Sequence, residues 1–174
     1  GDATGDSVLA FQRKHSLYVD GIAGPATHGK CVDLFNTQAR KKYLLPVGLL
    51  VGQIRHESGK MLGNYSSQRD DLSYDAGVAQ RNTAHTPASE GFAVPQSIEA
   101  LALNDRHFYD RFAGIAERRR WTLAAGAWNA PAYASWIARS EGATGVPTGT
   151  TAKPGPTALT LLEAYMKSVT AYMK

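Results

Sequence analysis

The chain has 174 residues, enough for one well-packed domain or for one domain with a small appendage. Its composition, with 43% hydrophobic and 20% charged residues, is ordinary for a globular protein, and no apolar run is long enough to span a membrane. The single cysteine, Cys31, excludes an internal disulfide and a multi-cysteine zinc site, and the net charge of +4 favours an anionic partner.

The first 35 residues contain a short internal repeat of a turn followed by a helix. The two copies begin at Gly1-Asp2-Ala3-Thr4 and Gly24-Pro25-Ala26-Thr27, 23 positions apart. At this offset the apolar helix positions also match, pairing Val8 with Cys31, Leu9 with Val32 and Phe11 with Leu34. Because the first copy starts in mid-motif, we expect the chain to be truncated at its N-terminus. Residues 36–45 are predicted to form a polar helical connector, which divides the chain into segments 1–35 and 36–174.

Residues 46–59 are predicted to form a helix that carries a candidate catalytic acid. Pro46 suits its first turn and Gly59 suits its end. A core-facing stripe at helical spacing comprises Val47, Leu50, Val51 and Ile54. Three residues further along this stripe stands Glu57, whose carboxylate should lose solvation, so that its pKa rises and it can donate a proton near neutrality. In the competing interpretation, Glu57 turns into water or pairs with Arg55 or Lys60.

Residues 60–95 are rich in small and polar residues and are predicted to form long loops with a short hairpin. Within them, the segment 75–82 alternates small and polar side chains. Gly77 and Ala79 would allow the close approach of a sugar or of backbone, while Gln80 and Asn82 can donate and accept hydrogen bonds.

Helices are predicted at 95–120, 121–129 and 132–140, followed by an ordered loop at 142–156 and a final core-packed helix that includes Tyr165. The basic cluster Arg118-Arg119-Arg120 is expected to be a solvated helix end. Trp121 is interpreted as core packing, and Trp128 has the same alternative. Asn129, at a helix end before Ala-Pro, is harder to explain by packing. Amide side chains and aromatic faces together suit an N-acetylated sugar.

The histidines give no sign of a metal site. His56 is adjacent to Glu57, and neighbours on a helix point about 100° apart, so the two cannot share a ligand by helical spacing. The other histidines have no metal-ligand spacing and are interpreted as surface residues: His15, His28, His85 and His107. We therefore expect no metal or other cofactor. Cys31 is interpreted as a small core residue.

Motifs in residues 45–132, with Glu163-Ala164-Tyr165-Met166, resemble the lysozyme-like domain of soluble lytic transglycosylases and goose-type lysozymes. That family has a helix-end Glu-Ser, then Gly-x-x-Gln, then Tyr-Asn-Ala-Gly, then a late tyrosine. Here the corresponding residues, in the same order, are Glu57-Ser58, Gly77-Val78-Ala79-Gln80, Trp128-Asn129-Ala130 and Tyr165. Trp128 replaces the usual Tyr, Pro131 replaces the Gly and Ala79 stands where Met is common. The resemblance implies a mainly α fold with a lysozyme-like domain.

Residues 1–35 resemble the second half of the three-helix bacterial peptidoglycan-binding module. The matching motif is Phe11-Gln12 followed by Leu17-Tyr18-Val19-Asp20-Gly21-Ile22-Ala23-Gly24-Pro25-Ala26-Thr27. A truncated wall-binding module before a murein-cleaving domain, on a small basic chain, is similar to a modular phage endolysin. Such a protein would be a monomer, made in the host cytoplasm, that acts on the peptidoglycan of the bacterial cell wall.

The resemblance implies that Glu57 protonates the glycosidic oxygen between N-acetylmuramic acid (MurNAc) and N-acetylglucosamine (GlcNAc). In a lytic transglycosylase the same carboxylate then acts as a base, and the muramyl 6-hydroxyl closes a 1,6-anhydro ring. The implied substrate-binding residues are Ser58, Gln80, Asn82, Trp128, Asn129 and Tyr165.

Two alternatives stay open. A hydrolytic muramidase would use water and a second carboxylate, for which Asp70, Asp71 and Asp75 are candidates; for Asp70 and Asp71, loop solvation or turn formation is the favoured interpretation. A non-catalytic wall-binding or virion protein would keep the fold without the chemistry. Nucleic acid is not an expected partner, because basic residues are not interleaved with aromatic ones.

Overall fold

A computed structural model describes residues 3–59, 68, 70–85, 87–147 and 153–174. Gly1 and Asp2 of the repeat, Lys60, the rest of 60–67, residues 69 and 86, and residues 148–152 of the predicted loop lie outside the described residues. The described fold is mainly α-helical, as predicted, with one two-stranded hairpin. Its elements are α1 Ala3–Lys14, α2 Pro25–Tyr43, α3 Leu49–Ser58, β1 Asp75–Ala76, β2 Arg81–Asn82, α4 Ala88–Phe92, α5 Val94–Arg111, α6 Glu117–Asn129, α7 Pro131–Ser140 and α8 Pro156–Thr170.

The turn between α1 and α2 is built around the side chain of Gln12, which is 1% exposed. Its Nε2 donates to Oδ1 of Asp20 at 2.8 Å and to the carbonyl of Ile22 at 2.9 Å. Its Oε1 accepts from the backbone N–H groups of Asp20 and Gly21, at 3.1 and 2.9 Å. The motif that resembles a wall-binding module is therefore, in part, the set of residues that folds this turn.

Helix α2 is continuous across the point at which the sequence suggested two segments. The predicted boundary between residues 35 and 36 lies inside it, and the predicted connector forms its C-terminal half. Val32 and Ala39, one from each side of the boundary, are both buried, and α2 packs against α5 and α3. Cys31, expected in the core, is only half-buried.

Helix α3 begins later than predicted, at Leu49 rather than near Pro46. Gly48 precedes it with a φ of +90°, and a Cβ built there would lie 1.8 Å from the carbonyl oxygen of Tyr172. Only glycine fits such a position, and its left-handed backbone delays the start of the helix. The predicted stripe is therefore wrong at Val47, which is 49% exposed, while Ile54 is fully buried as predicted.

The predicted helix at 95–120 is wrong, because the chain breaks it after Arg111. Gly114 turns the backbone with a φ of +96°, and α6 starts at Glu117. The loop prediction for 60–95 is correct for the hairpin, in which Asp75 pairs with Asn82, but it missed the five-residue helix α4.

The arginine cluster lies at a helix end, as predicted, but of its three residues only Arg118 is exposed. It occupies the first turns of α6, where Arg119 forms ion pairs with Glu141 at 2.7 Å and Glu163 at 3.0 Å. The guanidinium of Arg120 lies 3.8 Å from the ring centroid of Tyr109. The same ring stacks on Trp121, which is buried as predicted. These arginines connect α6 to its neighbours.

Helices α3 and α8 approach closely, and this contact organises the core. A Cβ at Gly52 would lie 1.8 Å from the carbonyl oxygen of Val169, so a side chain there would force the helices apart. Gly126 of α6 likewise faces Met166 of α8, with a hypothetical Cβ 2.7 Å from its sulfur. The largest fully buried apolar side chains are Phe112, Leu49, Ile54, Ile98, Leu101, Leu123 and Met166. None of the helices in the described residues is long and apolar enough to cross a membrane.

Candidate active site

Glu57 stands in the last turn of α3, one residue before the buried Ser58. Gly59 ends the helix in the left-handed conformation, with a φ of +60° and its N–H donated to the carbonyl of Arg55 at 3.2 Å. The Glu57 side chain is half-buried. Arg55, its alternative partner in the sequence analysis, instead contacts the ring and hydroxyl of Tyr172.

Tyr165 of α8 supplies the direct partner of Glu57. Its hydroxyl donates to Oε1 of the carboxylate at 2.7 Å, and its side chain is 5% exposed. The close packing of α3 on α8 at Gly52 brings these two residues together. The ring of His56 meets the edge of the Tyr165 ring, and its Nδ1 lies 3.0 Å from Oγ of Ser168.

A cavity of about 660 Å³ opens beside Glu57, within the size range of small-molecule sites. Its wall comprises Glu57, Asp75, Gln80, Arg81, Asn82, His85, Ala100, Asn104, Phe108, Ala127, Trp128, Asn129 and Pro131. The hairpin forms one side, α5 another, and the end of α6 a third. Two carboxylates, four amide side chains and the rings of Phe108 and Trp128 therefore share one cleft.

Burial raises the pKa of the Glu57 carboxyl above its ordinary value, as the sequence predicted. The hydrogen bond from Tyr165 acts in the opposite direction and lowers this pKa, while the nearby negative charge of Asp75 raises it further. Burial and the charge of Glu57 also raise the pKa of Tyr165, which keeps its hydroxyl protonated. The net shift is upward, toward the protonated form from which a general acid works.

Ser58 and Trp128, both predicted to bind substrate, have polar groups engaged by the protein. The hydroxyl of Ser58 lies 2.9 Å from the carbonyl of Val78 and 3.2 Å from that of Ile54, and its side chain does not line the cavity. The indole N–H of Trp128 donates to the carbonyl of Ala79 at 3.0 Å. Both residues hold the loop that follows β1 in place, and Trp128 still presents its ring to the cavity.

The predicted amide residues Gln80, Asn82 and Asn129 all line the cavity. Nε2 of Gln80 donates to the carbonyl of Gly77 at 2.8 Å, and Oδ1 of Asn82 accepts from the backbone N–H of Ala84 at 2.8 Å. Asn129, the last residue of α6, is exposed at the cavity mouth. The three side chains reach the cavity from the turn between β1 and β2, from β2 and from the end of α6.

Of the three candidate second carboxylates, only Asp75 lines the cavity. Asp71 instead closes a turn, with Oδ1 accepting from the backbone and the hydroxyl of Ser73 at 3.0 and 2.6 Å. Asp70 is exposed and lies outside the cavity wall. The turn and solvation interpretations fit these two residues, and Asp75 is the one carboxylate of the three that shares the cleft with Glu57.

No protein-family model, curated protein sequence or solved structure matches the chain.

One wall of the cavity was not predicted from the sequence. Ala100, Asn104 and Phe108 stand four residues apart on α5 and line it together. Their spacing marks one helix face, and a polar residue between two apolar ones was the available signal. Arg81 and His85, which flank Asn82, also line the cavity, although His85 was interpreted only as a surface residue. Within the described residues, no group of three or more His, Cys, Asp or Glu side chains could hold a metal ion.

Proposed function

We propose that the protein is a glycosidase that cleaves the β-1,4 bond between MurNAc and GlcNAc in peptidoglycan. The observation that carries the proposal is the environment of Glu57, a half-buried carboxyl with a raised pKa at the wall of a large cleft. A glycosidase acid needs a pKa near the working pH, and burial is the usual means of raising it. The amide and aromatic groups around the cleft suit the N-acetyl groups and sugar faces of such a glycan.

In the proposed reaction, the protonated Glu57 donates to the oxygen of the scissile bond. The C1–O bond breaks, and the leaving GlcNAc departs with the proton. Glu57, now a carboxylate, then accepts the proton of the muramyl 6-hydroxyl as that oxygen bonds to C1. The product is a 1,6-anhydro-MurNAc end, and the whole sequence uses one carboxylate of the protein. Tyr165 stabilises the ionised form of Glu57 between the two steps.

Hydrolysis is the second candidate, and the position of Asp75 favours it. Asp75 lines the same cavity as Glu57, and its charge raises the pKa of Glu57. A carboxylate across the cleft could activate water as the base of an inverting muramidase. The product would then be a reducing MurNAc end.

We further propose that the chain acts on the bacterial cell wall in the manner of a phage endolysin, with a lysozyme-like catalytic part in residues 36–174. In this proposal residues 1–35 are a partial wall-binding module. The net charge of +4 would favour attraction to the anionic wall.

Mass spectrometry of the soluble fragments released from purified peptidoglycan tests the proposal. Anhydro-muropeptides identify a lytic transglycosylase, and reducing muropeptides identify a muramidase. The Glu57→Gln variant, purified and digested in parallel, controls for contaminating enzymes. If the protein releases no fragments under conditions in which it binds the wall, the proposed activity is wrong and a non-catalytic wall-binding protein replaces it.

A further inference from the structure

A buried polar pair lies directly behind the contact between Glu57 and Tyr165. Gln53 precedes Glu57 by four residues on α3, so both side chains leave the same side of the helix. Nε2 of Gln53 donates to Oδ1 of Asp105 on α5 at 3.0 Å, and both residues are 0% exposed. The Gln53 side chain also interacts with the hydroxyl of Tyr165 and lowers the pKa of that hydroxyl. A continuous chain of polar groups therefore runs from the core to the candidate acid.

Two oxygens of this pair have no hydrogen-bond partner within the part of the chain that the structure describes. They are Oε1 of Gln53 and Oδ2 of Asp105, both buried acceptors. Orphaned acceptors in a protein interior are costly, and an unpaired buried charge is more so. One proton on Oδ2 of Asp105 would remove both costs, because the neutral acid could donate to the Gln53 carbonyl while accepting from its amide. In agreement, burial raises the pKa of Asp105 to about 8, against a smaller lowering by Gln53.

The proton on Asp105 would determine which groups donate and which accept in the hydrogen bonds that lead through Gln53 and Tyr165 to Glu57. With its carbonyl accepting from Asp105, Gln53 has two N–H donors left, one for Oδ1 of Asp105 and one for the Tyr165 oxygen. A hydroxyl that accepts from Gln53 directs its own proton elsewhere, and Oε1 of Glu57 lies 2.7 Å away to receive it. The orientation of Tyr165 is then fixed from the core rather than from the solvent.

We propose that Asp105 and Gln53 are positioning residues, which retain a proton on Asp105 and thereby aim the Tyr165 hydroxyl at Glu57. The consequence for catalysis rests on the proposed function of Glu57. The directions of the hydrogen bonds do not depend on that function, so they can be tested without an enzyme assay.

The first test is carbon-detected NMR of the full chain labelled at its Asp and Glu carboxyl carbons. The Asp105 signal is assigned by its loss in the Asp105→Asn variant. We expect Asp105 to be protonated at about pH 6, far above the ordinary pKa of an aspartate. We also expect the pKa of Glu57 to rise in Gln53→Met, which releases Tyr165, and to stay unchanged in Asp105→Asn, which keeps a donor for the Gln53 carbonyl. The proposal is wrong if Asp105 is ionised at that pH, or if the pKa of Glu57 is the same in Gln53→Met as in the wild type.

The second test is steady-state kinetics on peptidoglycan with the same variants, after circular dichroism has confirmed that they fold. Loss of positioning should lower kcat of Gln53→Met about 10- to 100-fold with little change in KM. Asp105→Asn should keep most of the wild-type kcat. If the wild type is active and Gln53→Met matches its kcat, the positioning role is wrong and the proposed function stands. If the wild type is inactive, the proposed function fails, and the NMR result alone decides the hydrogen-bond network. If Gln53→Met does not fold, the protonation state of Asp105 in the wild type decides whether the proposed hydrogen-bond network is correct.

Discussion

The hydroxyl of Tyr165 donates a hydrogen bond of 2.7 Å to Oε1 of Glu57, joining residues that lie 108 positions apart in the sequence. Glu57 lies in the last turn of α3, and Tyr165 lies within α8. The bond stabilises the ionised carboxylate, while burial and the charge of Asp75 destabilise it. The proton affinity of Glu57 is therefore set by opposing contributions from separate elements, and each contribution can be removed by one substitution.

Replacing Glu57 with Gln should lower the rate of fragment release from peptidoglycan about 10²- to 10⁴-fold, because general acid catalysis contributes on this scale. The amide keeps the size of the side chain, and the position is half-buried, so the thermal midpoint should change little. Glu99→Gln is the matched control, since Glu99 is an exposed carboxylate paired with Lys42 outside the cavity. Equal activity in the two variants would rule out Glu57 as the acid.

Tyr165→Phe should raise the pKa of Glu57, because the lost hydrogen bond lowers it. A general acid works in its protonated form, so activity falls as pH rises through its pKa. The alkaline limb of kcat/KM should therefore move to higher pH in this variant. A pH profile of kcat/KM measures this shift, and an unmoved limb would mean that another group controls it.

Asp75→Asn should act on the same profile in the opposite sense. Removing the negative charge lowers the pKa of Glu57, so the alkaline limb should move to lower pH. The value of kcat at the pH optimum of the variant distinguishes transglycosylation from hydrolysis. A transglycosylase should keep most of its kcat, whereas a muramidase that uses Asp75 as base should lose about 10²-fold or more.

Asp105 should make the protein less stable as pH rises. Its pKa lies at about 8 in the folded chain and near its ordinary value of 3.8 in the unfolded one. Between these values the folded state holds the extra proton, so the free energy of unfolding falls with rising pH, by at most about 1.4 kcal/mol per pH unit. Above about pH 8 the decline should end. Urea unfolding of the wild type and Asp105→Asn across this window isolates the effect, and a difference independent of pH would contradict it.

Gly52→Ala should destabilise the fold by about 1–3 kcal/mol, since the new methyl group would push α3 away from α8. It should also weaken the contact of Tyr165 with Glu57 and so reduce activity in the molecules that stay folded. Gly29→Ala is the matched control: Gly29 lies inside α2 with nothing within 4 Å of the added Cβ, and the substitution should stabilise by about 0.5–1 kcal/mol. Thermal and urea unfolding compare the two.

Local patterns in the sequence predicted correctly that Glu57 lies near the end of a helix with a raised pKa, and that a hairpin follows, because helical spacing and turn residues act over a few positions. They did not predict the break at Gly114, whose left-handed turn interrupts an otherwise helical stretch. They also failed for Arg119, because its two partners are 22 and 44 residues away. Spacing shows which face of a helix is apolar and not what covers that face. For the same reason the α5 wall of the cavity, with Asn104 and Phe108, was missed.

The continuity of helix α2 affects how the N-terminal turn is placed relative to the cleft. Its 19 residues form a rod about 28 Å long, with the Gln12-centred turn at one end and the packing against α5 along its side. A flexible tether between two binding parts only raises the concentration of one near the other. A continuous helix also fixes the orientation of one part relative to the other. If residues 3–24 bind a wall polymer, the cleft would be held at a fixed orientation to that polymer. Under the proposed function, cleavage would then occur at a fixed distance from the point at which the chain is bound.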